Sequence, residues 1–156
     1  MTEKIRSKHS GNSDSTLNIL VFRSKHIPSI PGFPEYIAKV SAIFCPYIEP
    51  SMAINQSAYT VISSSTEVKD IAEKVVFAAG YILCELLRHI RSQCLQKQRI
   101  PLLSENVVFL FPNVDDKFGK ELLAWPHWVL KSNYTQLGIL FGKFCKGVCE
   151  TSKDGR

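Results

Sequence analysis

Apolar and polar residues alternate with a helical period over one long stretch of the chain. From about residue 66 to residue 99, apolar side chains recur every three or four positions, which places them on one face of a helix. Ser65 or Thr66 can cap the first turn, and Pro101 cannot continue the helix. The pattern predicts one long helix over about 66–99. Within it, Gly80 is expected to mark close packing against a neighbouring backbone.

Shorter apolar runs, rich in β-branched and aromatic residues, are typical of strands. They predict an edge strand at 17–22, strands at 58–62 and 106–111, and a last strand at 137–144. The strand at 106–111 is expected to be buried because its apolar run is continuous. In the last strand, Gly138 and Gly142 would allow another part of the chain to approach closely.

Prolines divide the remaining segments of the chain. Pro34 suits the first position of a short helix that runs from Glu35 to about residue 42. The segment around Cys45 is predicted to be extended, because a residue before proline is pushed out of the helical region. Residues 115–125 are predicted to be helical, and Pro126 to start a second short helix that reaches about residue 133.

The order of these elements indicates the fold class. It favours a single α/β or α+β layer domain, in which the long helix (about 66–99) and shorter helices pack on a sheet. We expect residues 17–150 to form this domain. Residues 1–16 are polar and serine-rich, so they hold too little apolar surface to offset the entropy of ordering and are predicted to be a flexible tail. Residues 151–156 are predicted to be a second tail.

The composition of this chain of 156 residues indicates the cellular compartment in which we expect it. The N-terminus is charged and lacks the apolar segment of a secretory signal. The longest apolar run, from Val75 to Cys84, is about half the length that a bilayer requires. The five cysteines are odd in number and irregularly spaced, which argues against a disulfide framework. We therefore expect a soluble, cytoplasmic protein with no membrane span.

The net charge of +5 suggests nucleic acid as a possible partner. However, part of the excess lies in the N-terminal tail, and part lies at the end of the long helix, in Arg88, Arg91, Lys97 and Arg99. Cations at that position offset the negative end of the helix dipole, and no nucleic-acid-binding motif accompanies them. Nucleic acid is therefore not favoured as a partner.

The most distinctive segment is Trp-Pro-His-Trp at 125–128, followed by Lys131. Two large aromatic side chains beside ionisable groups indicate either a pocket or a tightly packed core. His127 could act as a general base or bind a ligand, or it could be a hydrogen-bonded structural residue. Lys131 lies one turn further on, so both side chains could receive a carboxylate or phosphate, although a solvated lysine is the alternative. The candidate ligand-binding residues are Trp125, Trp128, Lys131, Gly138 and Gly142.

The cysteines suggest two further kinds of chemistry. Cys45 could be a nucleophile with His127 as its base, and the alternative is a buried structural cysteine. Cys145 and Cys149 could bind a metal together with His127, but zinc sites usually contain two such pairs and only one is present. We therefore predict no metal site, and no cofactor can be identified. The chain also lacks the phosphate-loop, nucleophile-elbow and H-E-x-x-H motifs, which argues against the common nucleotide-binding, hydrolase and metalloprotease classes.

Several blocks resemble an uncharacterised bacterial domain family that has a Cys-Pro-Phe segment, a strand ending in Phe-Pro, and a Leu-Lys-Pro…Gly-Leu-Met-Leu-Gly-x-Phe-His-Pro ending. The matching blocks are Cys-Pro-Tyr at 45–47, Phe-Pro at 111–112, Leu-Lys at 130–131 and Leu-Gly-Ile-Leu-Phe-Gly-Lys-Phe at 137–144. The histidine and proline that end the family pattern correspond here to Cys145 and Lys146. The resemblance implies small-molecule metabolism in bacteria but no known reaction, and it indicates Cys45, Lys131 and Cys145 as positions to test.

Two functions are consistent with these residues. In the first, the chain is a bacterial small-molecule enzyme or ligand-binding protein, with Cys45 and His127 as catalytic residues and a pocket around the Trp-Pro-His-Trp segment. In the second, it is a non-catalytic protein–protein interaction module, whose basic tail adds electrostatic attraction. The first is slightly favoured because the polar groups cluster with the aromatic ones. The ligand, the oligomeric state and whether the chain is an enzyme are left open.

Overall fold

The computed structural model of the protein describes residues 18–96 and 103–145, which form two compact units. The first unit comprises residues 18–22, 62–85 and 109–145, and the second comprises residues 23–61, 86–96 and 103–108. The predicted tails at 1–16 and 151–156 lie outside the described residues. The single domain over 17–150 stays a prediction.

Three strands form a mixed sheet in the order β1 (Ile19–Ser24), β2 (Ser57–Ser64) and β3 (Ser104–Leu110). The Ser65 N–H donates to the Asn18 carbonyl, so β1 begins where β2 ends and the two are antiparallel. The Ser104 N–H donates to the Gln56 carbonyl, so β2 and β3 begin together and are parallel. The three predicted strands before residue 112 are confirmed. The prediction that β3 is buried is wrong. All of its residues are half-buried, because the strand lies at the edge of the sheet.

The α-helices of the described residues are α1 (Phe33–Ile43), α2 (Ile48–Ala53), α3 (Lys69–Gln96) and α4 (Gly119–Tyr134). Short 3₁₀ turns precede and follow α4 at Asp116–Phe118 and Thr135–Leu137. The long predicted helix is confirmed as α3, with residues 97–99 outside the described part of the chain, and the helix predicted from Glu35 is confirmed as α1. An α+β fold with one long helix is therefore confirmed.

The segment around Cys45 is a turn between α1 and α2, so the prediction of an extended segment is wrong. The N–H groups of Phe44 and Cys45 both donate to the Val40 carbonyl at 2.9 Å. The Ile48 N–H then donates to the Cys45 carbonyl at 3.4 Å. The chain turns here because Ile48 is buried in the same hydrophobic cluster as Val40.

Pro126 lies inside α4, so the prediction of two short helices that meet at this residue is wrong. A proline in a helix interior removes one N–H donor and typically costs about 3 kcal/mol. Here the proline is among the most deeply buried side chains, and Leu122 and Leu130, one turn away on either side, are also buried. Burial of this apolar face keeps α4 continuous across the proline.

Residues 137–144 do not form the predicted strand. Gly138 adopts the left-handed conformation, with φ of 76°, and ends the 3₁₀ turn that follows α4. Beyond it, Ile139 and Phe141 pack against a buried cluster on α3 and α4. The apolar run is therefore buried against helices and does not pair with a strand.

Each unit has its own hydrophobic cluster. In the first unit, partly buried side chains surround three buried ones: Phe77, Ile139 and Phe141 contact Cys84, Leu130 and Tyr134. In the second unit, Ile27, Phe33 and Cys45 contact the buried residues Ile37, Val40, Ile48 and Tyr59. The first cluster joins α3 to α4, and this pair of helices carries the Trp-Pro-His-Trp segment.

Candidate functional site

Helices α3 and α4 contact each other through a close approach and a partly buried hydrogen bond in the first unit. A Cβ atom on Gly80 would lie 2.5 Å from Cδ1 of Leu130, so Gly80 packs against a side chain. The prediction that it packs against a neighbouring backbone is wrong. The Tyr134 hydroxyl donates to Glu85 at 2.7 Å, and its ring meets Tyr81 edge-on. Burial and the Glu85 carboxylate raise the pKa of Tyr134, so its hydroxyl stays protonated and continues to donate.

Trp125 contacts α3 through both its ring and its N–H group. Its ring centroid lies 5.0 Å from that of Phe77, and its indole N–H donates to Glu73 at 2.8 Å. Lys69 forms ion pairs with Glu73 at 3.3 Å and with Glu121 at 2.7 Å. Trp125 is therefore held by an apolar contact and by a carboxylate that a nearby cation orients.

Trp128 lies on the outer side of α4, turned away from the buried Leu130 by the helical spacing of two residues. Its side chain is 69% exposed, and Trp125, one turn earlier, is 39% exposed. On α3, Tyr81 is 50% exposed and lies one turn from Phe77, which contacts Trp125. We call Trp125 and Trp128 the aromatic face of the first unit.

His127 and Lys131 lie one turn apart on α4, on the same side of the helix. The His127 ring is half-buried and meets Phe141 edge-on, with 6.2 Å between ring centroids and an angle of 89°. Lys131 is exposed. The contact with Phe141 fits the structural alternative for His127, and its role as a general base stays a prediction.

Cys45 and His127 belong to different units, Cys45 to the second and His127 to the first. Cys45 is half-buried and packs against the cluster that contains Ile37. The catalytic pairing of these two residues stays a prediction. Among the cysteines of the described residues, Cys84 is buried, and burial raises the pKa of its thiol to about 11. Cys84 is therefore a protonated structural thiol at neutral pH.

The two glycines predicted to line the site are both exposed. Gly138 caps the turn after α4, and Gly142 lies in the irregular segment beyond it. A Cβ atom on Gly142 would come within 2.8 Å of the Phe144 ring, so this glycine allows a local ring contact. Neither glycine lies in a strand, and their contribution to ligand binding stays a prediction.

The candidate metal ligands are only partly described. Cys145 is half-buried beside Gly119, the first residue of α4, and Cys149 lies outside the described residues. Within residues 18–96 and 103–145, no group of three or more His, Cys, Asp or Glu side chains is placed to hold a metal ion.

A charged network in the second unit was not predicted. The Glu105 side chain on β3 is 3% exposed and accepts hydrogen bonds from Arg23 of β1 at 2.7 Å and from Thr60 of β2 at 2.5 Å. Arg23 also donates through Nε to the same carboxylate oxygen at 3.2 Å. The network joins all three strands. A single arginine and a single glutamate, 82 positions apart, give no signal of this pairing in the sequence.

An open groove of about 340 Å³ follows α1 and α2 in the second unit. Most of its lining is apolar, and it consists of Ile27, Pro34, Ile37, Ala38, Ser41, Ala42, Glu49 and Met52. Ile37, which lines the groove, also belongs to the hydrophobic cluster against which Cys45 packs. The groove and Cys45 therefore contact the same cluster.

None of the helices in the described part of the chain is long and apolar enough to cross a bilayer. Comparisons with models of protein families, with curated proteins and with solved structures found no match to this chain. The resemblance to an uncharacterised bacterial domain family therefore stays a prediction, and the function is argued from the geometry alone.

Proposed function

We propose that this chain is a non-catalytic interaction module that binds a protein partner through its aromatic face. One observation carries the proposal: the Trp128 side chain is 69% exposed on the outer side of α4. Tryptophan is enriched at protein interfaces, where truncating one such residue often costs about 2 kcal/mol of binding free energy or more. Trp125, one turn earlier on the same helix, adds to the exposed aromatic surface, and exposed apolar patches mark interaction sites.

The contacts beneath the aromatic face support its use as a binding surface. Trp125 is already held by Phe77 and Glu73, so little side-chain freedom is lost when a partner binds. Glu121 and Lys131 are exposed on the same helix and supply the polar rim that interfaces usually have. Because Glu121 and Lys131 carry charges at this surface, the affinity should fall as salt rises.

Replacing Trp128 with alanine should remove the partner from native complexes. The full chain would be purified from its own host, and the masses of intact complexes would be compared for the wild type and Trp128→Ala. Tyr47→Ala is the matched control, because Tyr47 is an aromatic residue of the second unit that is 52% exposed. Loss of the complex in both variants, or in neither, would contradict the proposal.

A small-molecule enzyme or ligand-binding protein is the second candidate, and the groove on α1 and α2 favours it. Ser41 and Glu49 within a mostly apolar lining suit an apolar ligand that carries a hydroxyl or an amine. Ala38→Trp would fill the groove, so native mass spectrometry should detect a bound small molecule on the wild type and none on the variant. A wild-type chain purified without any ligand would count against this function.

A further inference from the structure

We infer that the partner of the aromatic face is a second copy of this chain, docked through antiparallel contact between the two α4 helices. The inference rests on the proposed function and identifies the partner. Glu121, Trp125, Trp128 and Ser132 are all exposed and follow one another at intervals of four, three and four residues. This is the spacing of a helical seam that packs against another helix.

Two antiparallel copies of this seam are complementary to each other. With a twofold axis at the middle of α4, each Trp125 lies opposite Trp128 of the second copy. Each Glu121 then lies opposite Ser132 of the second copy, one residue from its Lys131. The same surface therefore serves both copies, as a twofold dimer requires.

The charges along α4 favour the antiparallel arrangement. Glu121 lies near the start of the helix and Lys131 near its end. Antiparallel packing brings each charge close to its opposite in the second copy, whereas parallel packing would bring like charges together. Glu121 also pairs with Lys69 of its own chain, but its side chain is still 58% exposed and can accept a second cation.

The exposed tryptophans of α4 supply about half of the area that a specific interface needs. From the exposed fractions of Trp128 and Trp125, each copy offers about 270 Å² of aromatic surface. Two copies supply about 540 Å² of the roughly 1,000 Å² that a specific interface needs. The aliphatic stems of neighbouring charged side chains contribute much of the remainder. We therefore expect monomer and dimer to exchange at micromolar concentrations.

Sedimentation of the full chain over a range of concentrations tests the inference. The wild type should form a dimer, and Trp128→Ala should weaken it by at least about tenfold. Glu121→Lys or Lys131→Glu alone should weaken it several-fold, and the double variant should return to within about twofold of the wild type. Only a pairing between the two copies gives this rescue. Lys39→Glu on α1 makes the same charge change in the second unit and should have no effect.

The outcomes separate this inference from the function on which it rests. A chain that stays monomeric at all concentrations, yet forms a Trp128-dependent complex with another protein, would overturn the self-association and leave the proposed function intact. A chain with neither behaviour would overturn both. A dimer that Trp128→Ala leaves unchanged, or that the double charge reversal does not restore, would overturn the antiparallel α4 contact.

Discussion

Arg23→Met should lower the free energy of unfolding by about 3–5 kcal/mol, which is a large effect for a residue whose side chain is 37% exposed. The substitution leaves the Glu105 carboxylate, 3% exposed, with Thr60 as its remaining partner among the described residues. A buried carboxylate that lacks a cation has lost its hydration, and no ion pair compensates for that loss of free energy. Unfolding in urea, followed by circular dichroism, measures the change.

A second variant separates the loss of pairing from the loss of the charge itself. Arg23→Met/Glu105→Leu should recover most of the stability, because no unpaired charge is left in the sheet. The recovery should fall short by about 1 kcal/mol, since the Thr60 hydroxyl loses its acceptor. Lys117→Met is the control, because Lys117 and Asp115 form an exposed pair whose loss should cause no measurable change. If Arg23→Met is no more harmful than Lys117→Met, the network does not stabilise the fold.

The network has a physical reason to exist in strand β1. Leu20, Val21 and Phe22 are all exposed, so apolar burial contributes little to keeping this edge strand in place. A two-pronged contact from Arg23 to a carboxylate on β3 adds a directional restraint that apolar contacts do not provide. Such polar contacts can fix the register of a strand even when their net contribution to stability is small.

The elements that were predictable from the sequence depend on local patterns. The apolar period of α3 and the β-branched run of β2 identify these elements without reference to the rest of the chain. The continuity of α4 across Pro126 was not predictable, because it depends on burial of the proline ring by tertiary contacts. A short apolar run such as 137–144 is also ambiguous, since periodicity alone does not distinguish a strand from a segment buried against helices.

The candidate site was predictable only in part, for the same reason. The sequence identified Trp125 and Trp128 as unusual, because costly aromatic side chains lie beside charged ones. It did not identify Glu73, which binds the Trp125 indole, or Phe77, which packs on its ring, because both lie about fifty positions earlier. The exposure of Trp128 likewise depends on which side of α4 faces α3, and the packing of Leu130 against Gly80 determines that side.

The contact between Gly80 and Leu130 gives the second large effect. Leu130→Ala should lower the free energy of unfolding by about 2–5 kcal/mol, because the leucine is buried together with Cys84 and Tyr134. Gly80→Ala should lower it by about 1–2 kcal/mol, since overpacking against Leu130 exceeds the gain in helix propensity. Denaturant unfolding of each variant measures both values.

The sign of the Gly80→Ala effect should reverse once the Leu130 side chain is removed. In the Leu130→Ala background there is no Cδ1 atom at 2.5 Å from the new Cβ. The substitution should then stabilise the protein by up to about 1 kcal/mol through helix propensity alone. The difference between the two backgrounds is the coupling energy of the contact. If Gly80→Ala stabilises the wild type as well, Leu130 moves aside freely, and this glycine does not set the spacing that holds Trp125 against α3.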